Sequence, residues 1–146
     1  MKKYLELKNY FAQQDDVEFA LIFGSVAQGK DSPISDIDVA VYFREGEDIL
    51  KLGDRQIDIT CAIMKLCKIS RVDAVVLNLA NPFLRFQVIK YGRLLYAKDE
   101  KIFYKFKSAS LGMYQDIKPM YDLYERIAEI SLRRGICRQT NQDGRF

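Results

Sequence analysis

The chain of 146 residues is 49% apolar and 29% charged, which predicts one soluble globular domain and excludes a disordered or fibrous chain. It has no histidine, so Ser-His-Asp and Cys-His nucleophilic schemes, histidine general bases and imidazole metal ligands are excluded, leaving carboxylates, which suit hard cations such as magnesium. The net charge of +3 divides into −3 over residues 1–82 and +6 over 83–146, too little to demand nucleic acid but enough to attract a polyphosphate or an acidic partner surface.

Tyr4, Leu5, Lys8, Phe11 and Ala12 fall at helical spacing and predict a first amphipathic helix over 2–13. Charge within every turn there is unlike a secretory leader, and no apolar run approaches the ~20 residues of a membrane span. The run Val17–Phe23 reads as a buried strand that stops at Gly24-Ser25. Gly29, Asp31, Ser32 and Pro33 allow only a turn or two of helix after it. Ile37–Phe43 reads as a second strand, 54–68 as a helix by its length, and the valine-rich 72–77 as a third strand. Pro82 opens a helix to about Tyr91 with Gly92 as its cap, and RLLYA, Arg93–Ala97, is a fourth strand. From Asp99 onward Phe103, Phe106, Met113, Ile117, Met120, Tyr124 and Ile127 keep a helical period, which Pro119 must kink or split. The tail from 135 has little apolar content and is expected to fray. Cys61, Cys67 and Cys137 form no CxxC pair and are odd in number, so they read as reduced thiols of a cytoplasmic protein.

The segment 21–43, LIFGSVAQGKDSPISDIDVAVYF, carries the chemistry. A strand ends in Gly24-Ser25, ten residues follow, and Asp36-Ile37-Asp38 opens the next strand. Strand residues two apart share a face, so Asp36 and Asp38 project together while Ile37 enters the core. Two adjacent carboxylates raise each other's proton affinity unless a cation sits between them, which makes Asp-x-Asp a natural magnesium clamp. Gly24 lets the backbone approach a ligand, and Ser25 offers a hydroxyl and an N–H near a short helix start, where anions bind. The competing reading is that these are turn and cap residues. A P-loop fits GxxxxGK at Gly24, Gly29 and Lys30, but Asp31 stands where its Ser or Thr belongs and Pro33 stops the long helix it opens.

This pattern of strand, Gly-Ser, ten residues, Asp-x-Asp and strand resembles the nucleotidyltransferase superfamily with the DNA polymerase beta-type palm. More narrowly it resembles the minimal nucleotidyltransferases (MNT domains) of prokaryotes. Residues 72–99, VDAVVLNLANPFLRFQVIKYGRLLYAKD, are similar to that family's third strand, following helix and GxLLY strand, and 113–124, MYQDIKPMYDLY, to its kinked helix. The resemblance implies an α/β (α+β) nucleotidyltransferase fold: a small mixed sheet flanked by helices, with a long kinked C-terminal helical region. It implies a single domain over 1–146, with a core at about 10–98, C-terminal helices at about 99–134 and a tail at 135–146. Asp36 and Asp38 match the aspartates that hold two magnesium ions, and Gly24 and Ser25 the pair that grips the triphosphate of ATP. Asp73 falls at the third carboxylate, where it would complete the metal site and accept the proton of the attacking hydroxyl, with Asp58 the next candidate. Gln28 stands where many relatives have arginine, and Lys30 is close enough in sequence to supply that charge. The implied function is an antitoxin that transfers AMP from ATP to a tyrosine of a HEPN RNase toxin. The alternatives are a non-catalytic antitoxin that masks its toxin and a small-molecule nucleotidyltransferase. Phe103, Phe106, Tyr114, Tyr121 and Tyr124 are candidates for a subunit or partner interface in a homo- or hetero-oligomer.

Overall fold

The computed structural model describes residues 2–24 and 36–143, with side chains as far as residue 135. Its elements are α1 (Lys2–Ala12), β1 (Val17–Phe23), β2 (Ile37–Phe43), α2 (Ile49–Cys67), β3 (Val72–Val76), α3 (Pro82–Tyr91), β4 (Arg93–Ala97) and α4 (Glu100–Asp143). The chain divides into two units, Met1–Leu111 and Gly112–Phe146. The first is an α/β unit built on a four-stranded sheet of order β3-β2-β1-β4. β1 pairs antiparallel with both β2 and β4. β2 pairs parallel with β3 and needs a long crossover between them, which α2 supplies.

The central strands VEFALIF and IDVAVYF are almost continuously apolar because helices cover both faces of the sheet. On one face Ile37, Val39, Val41 and Phe43 pack with Leu7 and Phe11 of α1 and Leu52, Ile59 and Ile63 of α2. On the other, Phe19, Leu21, Ala40 and Leu77 pack with Val88 and Ile89 of α3 and Phe103 and Phe106 of α4. The Phe19 ring stacks on Tyr42 at 5.0 Å and meets Phe103 edge-on at 5.2 Å. Phe103 and Phe106, predicted as interface candidates, are therefore core residues.

The start of α2 differs from the sequence expectation, while α3 runs from Pro82 to Tyr91 and is capped by Gly92 as expected. α2 begins at Ile49, five residues before the expected start at 54, and carries Gly53 inside its second turn. Leu52 is buried and extends the stripe of Ile59, Ile63 and Cys67. Burying a leucine contributes about 1.5–3 kcal/mol, which outweighs the ~1 kcal/mol that an interior glycine costs. Gly92 caps α3 by donating its N–H to the Val88 carbonyl at 2.7 Å, with φ −77° rather than a left-handed angle. Glycine is needed there for space, because a Cβ would collide with that same carbonyl.

In the second unit α4 continues through Pro119 without splitting and is helical to Asp143, past the expected end at 134. Proline removes the N–H that would bond the Gln115 carbonyl, but both residues are exposed, so that carbonyl is open to solvent. This unit carries exposed Met120, Leu123, Tyr124, Ile127 and Ile130. No helix among the described residues is long and apolar enough to cross a membrane. Cys61 and Cys67 are free thiols.

One polar clamp ties α2 to the turn before β1. Arg55 donates from Nε and Nη2 to the two Asp16 carboxylate oxygens at 2.7 and 3.0 Å, and from Nη2 to Gln14 at 2.9 Å. Burial alone would raise the Asp16 pKa, but the hydrogen bonds and charge of Arg55 outweigh it and hold the carboxyl below its ordinary value. The resulting stability is present above the carboxylate's unfolded pKa and is lost as pH falls through the lower folded one. Asp16→Ala should lower unfolding stability by about 1.5–3 kcal/mol at neutral pH. Urea unfolding should show that gap close at acid pH, and a gap independent of pH would contradict the clamp.

Candidate active site

Ile37 is buried in the first core, so the alternation of β2 turns Asp36 and Asp38 to the opposite face, along with Ala40 and Tyr42. In the parallel ladder Asp38 stands opposite Asp73, and Ile37 opposite Val72. Residues opposite each other share a face, so the structure brings Asp36, Asp38 and Asp73 to one end of one face of the sheet. With Met64, Ser70, Arg71 and Val72 they line an open cleft of about 320 Å³.

Several bonds fix this register. The Asn78 amide continues the ladder past the end of β3: its Oδ1 accepts from the Phe43 N–H and its Nδ2 donates to the Phe43 carbonyl, both at 2.9 Å. Leu77 N–H donates to the Val41 carbonyl at 2.8 Å, and Gln56 of α2 donates to the Ala74 carbonyl at 2.6 Å. Arg85 of α3 donates to the carbonyls of Leu77 and Asn78 and lies over the Phe106 ring. A larger cleft at the other end of β2 is lined by Tyr42, Arg44, Glu45, Arg85 and Lys105, but there Arg85 is engaged in holding the β3–α3 connection.

The three aspartates differ electrostatically. Asp38 is half-buried, and its pKa is raised first by that burial, then by the charge of Asp73 and then by that of Asp36. Asp36 is more open, with Arg71 Nη1 at 3.8 Å from its Oδ2. Asp73 is exposed to the cleft. Gly24 follows Phe23, the β1 partner of Asp38, and adopts φ +77°. A Cβ at Gly24 would overlap the Asp38 carboxylate, so glycine is required both by the angle and by the carboxylate beside it.

Ser25, Gln28 and Lys30 lie outside the described residues. Asp58 pairs with Arg55 on α2 at 3.7 Å and does not line this cleft. Arg71 and Asn78 were missed in the sequence. Arg71 was legible in principle, because it lies two residues before Asp73 and so shares its face. Asn78 carried no signal, since its role exists only once β3 is paired.

Among the described residues no three potential ligands are gathered into a ready-made ion cage. Magnesium is commonly held by one or two carboxylates together with water and substrate phosphates. The three carboxylates on one face of an open cleft offer oxygen donors of the kind such an ion takes.

Residues 6–101 match the family model for Polymerase beta, Nucleotidyltransferase. No curated protein matches the chain. Among solved structures it is similar to a chain of a toxin-antitoxin complex with AMP-PNP, at 24% identity and TM-score 0.63 over 81% of this chain and 89% of that chain. It is similar to a chain of a tri-AMPylated Shewanella oneidensis HEPN toxin in complex with MNT antitoxin, at 20% identity and TM-score 0.63 over 81% and 88%. A third similarity is to the toxin-antitoxin MntA-HepT, at 20% identity and TM-score 0.62 over 81% and 89%. At these identities the likeness establishes a shared fold.

Gly24→Ala should cost about 1–3 kcal/mol through the left-handed angle alone, and more through the contact with Asp38. Placed in an Asp38→Ala background, the same change should cost less, because only the angle remains strained. Equal costs in the two backgrounds, read from thermal unfolding, would show that Gly24 and Asp38 are not in contact.

Proposed function

Because the chain belongs to the polymerase beta nucleotidyltransferase family, we propose that it transfers AMP from ATP to a tyrosine of a HEPN-type toxin and acts as that toxin's antitoxin. The observation that carries this reading is Asp38 facing Asp73 across the β2·β3 ladder with Asp36 on the same face. The complexes whose chains share this fold pair an antitoxin with a toxin, and one of those toxins is AMPylated, which supports the choice of substrate. The exposed apolar residues Met120, Leu123, Tyr124, Ile127 and Ile130 recur at helical spacing, which suits a protein partner.

In this reading Asp36, Asp38 and Asp73 hold magnesium. The ions, when bound, neutralise charge on the phosphates and activate the attacking hydroxyl. The tyrosine oxygen attacks the α-phosphorus, the bond from that phosphorus to the bridging oxygen breaks, and pyrophosphate leaves. Asp73 takes the phenolic proton; a free tyrosine has a pKa near 10 and needs such help at neutral pH. The exposure of Asp73 leaves it open to an incoming side chain. Ser25, next to Gly24, and Lys30, six residues after it, are assigned to the triphosphate.

Incubation with ATP labelled at the α-phosphate, magnesium and the product of the neighbouring gene tests this. Label on the partner is expected. A stable complex without label would replace transfer with masking, and neither label nor complex would favour a small-molecule acceptor. Asp73→Asn should lose transfer by about 10²-fold or more while keeping most ATP affinity. Transfer near the wild-type rate would remove Asp73 from the chemistry.

A further inference from the structure

The site runs across the sheet in strand order. Gly24 follows β1, Asp36 and Asp38 stand at the start of β2, and Asp73 stands on β3, an edge strand. Neighbouring strands lie about 4.8 Å apart, so Asp73 is two spacings, roughly 10 Å, from the Gly24 strand. An in-line displacement sets the entering oxygen and the leaving pyrophosphate on opposite sides of the phosphorus. With the triphosphate on the Gly24-Ser25 side, the acceptor enters from the sheet edge, past Asp73.

The cleft continues on that side. There its lining is Met64, near the end of α2, with Ser70 and Arg71 of the connection into β3. Met64 is half-buried and apolar, whereas Ser70 and Arg71 are exposed. A thioether is flexible, and its sulfur makes favourable contacts with aromatic rings. The Arg71 backbone is fixed, because its carbonyl accepts the Ile37 N–H at 3.4 Å. The Arg71 side chain is 81% exposed and meets Asp36 at 3.8 Å from Nη1, a weak surface pair. A guanidinium held so loosely can lie over an arriving ring. Two others in this fold already do so: Arg55 lies over Phe43 at 5.8 Å and Arg85 over Phe106 at 5.2 Å.

We infer that Met64 and Arg71 form the acceptor subsite at the β3 edge and hold the aromatic ring of the tyrosine, with its hydroxyl at Asp73. This rests on the transfer reading of the cleft. It adds two residues outside the Gly-Ser and Asp-x-Asp motif, which select an aromatic over an aliphatic hydroxyl. Neither residue touches the triphosphate.

Transfer of label from ATP first locates the acceptor residue on the product of the neighbouring gene. A double-mutant cycle then tests the subsite. The wild-type, Arg71→Ala and Met64→Ala chains are each titrated with that partner and with its form carrying alanine in place of the acceptor tyrosine. Both titrations contain magnesium and an ATP analogue whose methylene bridge between the α- and β-phosphates prevents transfer. Against the tyrosine partner each variant should bind about fivefold more weakly, and against the alanine partner within about twofold of wild type. Affinity for the analogue alone, read by calorimetry, should stay within about twofold in both variants. Equal losses against the two partners would overturn the inference, because the residues then do not meet the ring. A loss of analogue affinity would overturn it too, by moving them to the nucleotide side, as would label on serine or threonine. Arg71 is exposed, so its variant keeps the cycle decisive should Met64→Ala melt abnormally. If no label reaches the partner, the transfer reading itself fails, whereas label on tyrosine with equal losses defeats the inference alone.

Discussion

The parallel register of β2 against β3 is the constraint on which the site depends. It sets Asp38 opposite Asp73 and, by alternation, sends Ala74 and Val76 into the first core. A slip of one residue would turn Asp73 into that core and take Ala74 and Val76 out of it. Burying an unpaired carboxylate costs far more than the slip could recover. The same apolar pattern that builds the core therefore positions the carboxylates. Parallel strands have no tight turn to fix their pairing, so side chains do it: Asn78 bonds twice to Phe43, Gln56 reaches Ala74, and Arg85 gathers the carbonyls that follow β3.

The site is built against local electrostatic preference. Burial, and after it the like charges of Asp73 and Asp36, raise the proton affinity of Asp38, and only a residue without a Cβ fits beside its carboxylate at Gly24, which also takes a left-handed angle. Such conflicts with folding rules collect where a chain binds or reacts. Both cores offset them, with aromatic packing of Phe19, Tyr42, Phe103 and Phe106 further along the same face of the sheet. At the rim the exposed Arg71 meets Asp36 at 3.8 Å.

Much of this was legible in the sequence because its signals were local. Short continuous apolar runs marked β1 and β2, Pro82 and Gly92 bounded α3, and the alternation Asp36-Ile37-Asp38 gave the shared face and the inward isoleucine. What the sequence hid was tertiary. The start of α2 follows from a pocket for Leu52 that overrides Gly53, and no local pattern reveals that pocket. Pro119 was expected to kink or split α4, yet an exposed helix tolerates the lost hydrogen bond and is not split. Phe103 and Phe106 share the period of the exposed residues beyond them, so spacing alone could not separate core from surface. The pairing of Arg71 with Asp36 needed the strand register before it could be seen.

The central claim is that Asp38, Asp36 and Asp73 form one electrostatic unit that a cation-bearing nucleotide completes. The most direct measurement is the titration of the Asp38 side-chain carboxyl carbon by NMR. In the free protein Asp38 should titrate above the ordinary aspartate value. Asp73→Asn should bring it down by removing the stronger of the two like-charge effects, and magnesium with ATP should bring it down further by placing positive charge against the carboxylate. An ordinary Asp38 titration, indifferent to Asp73→Asn and to magnesium-ATP, would contradict the account.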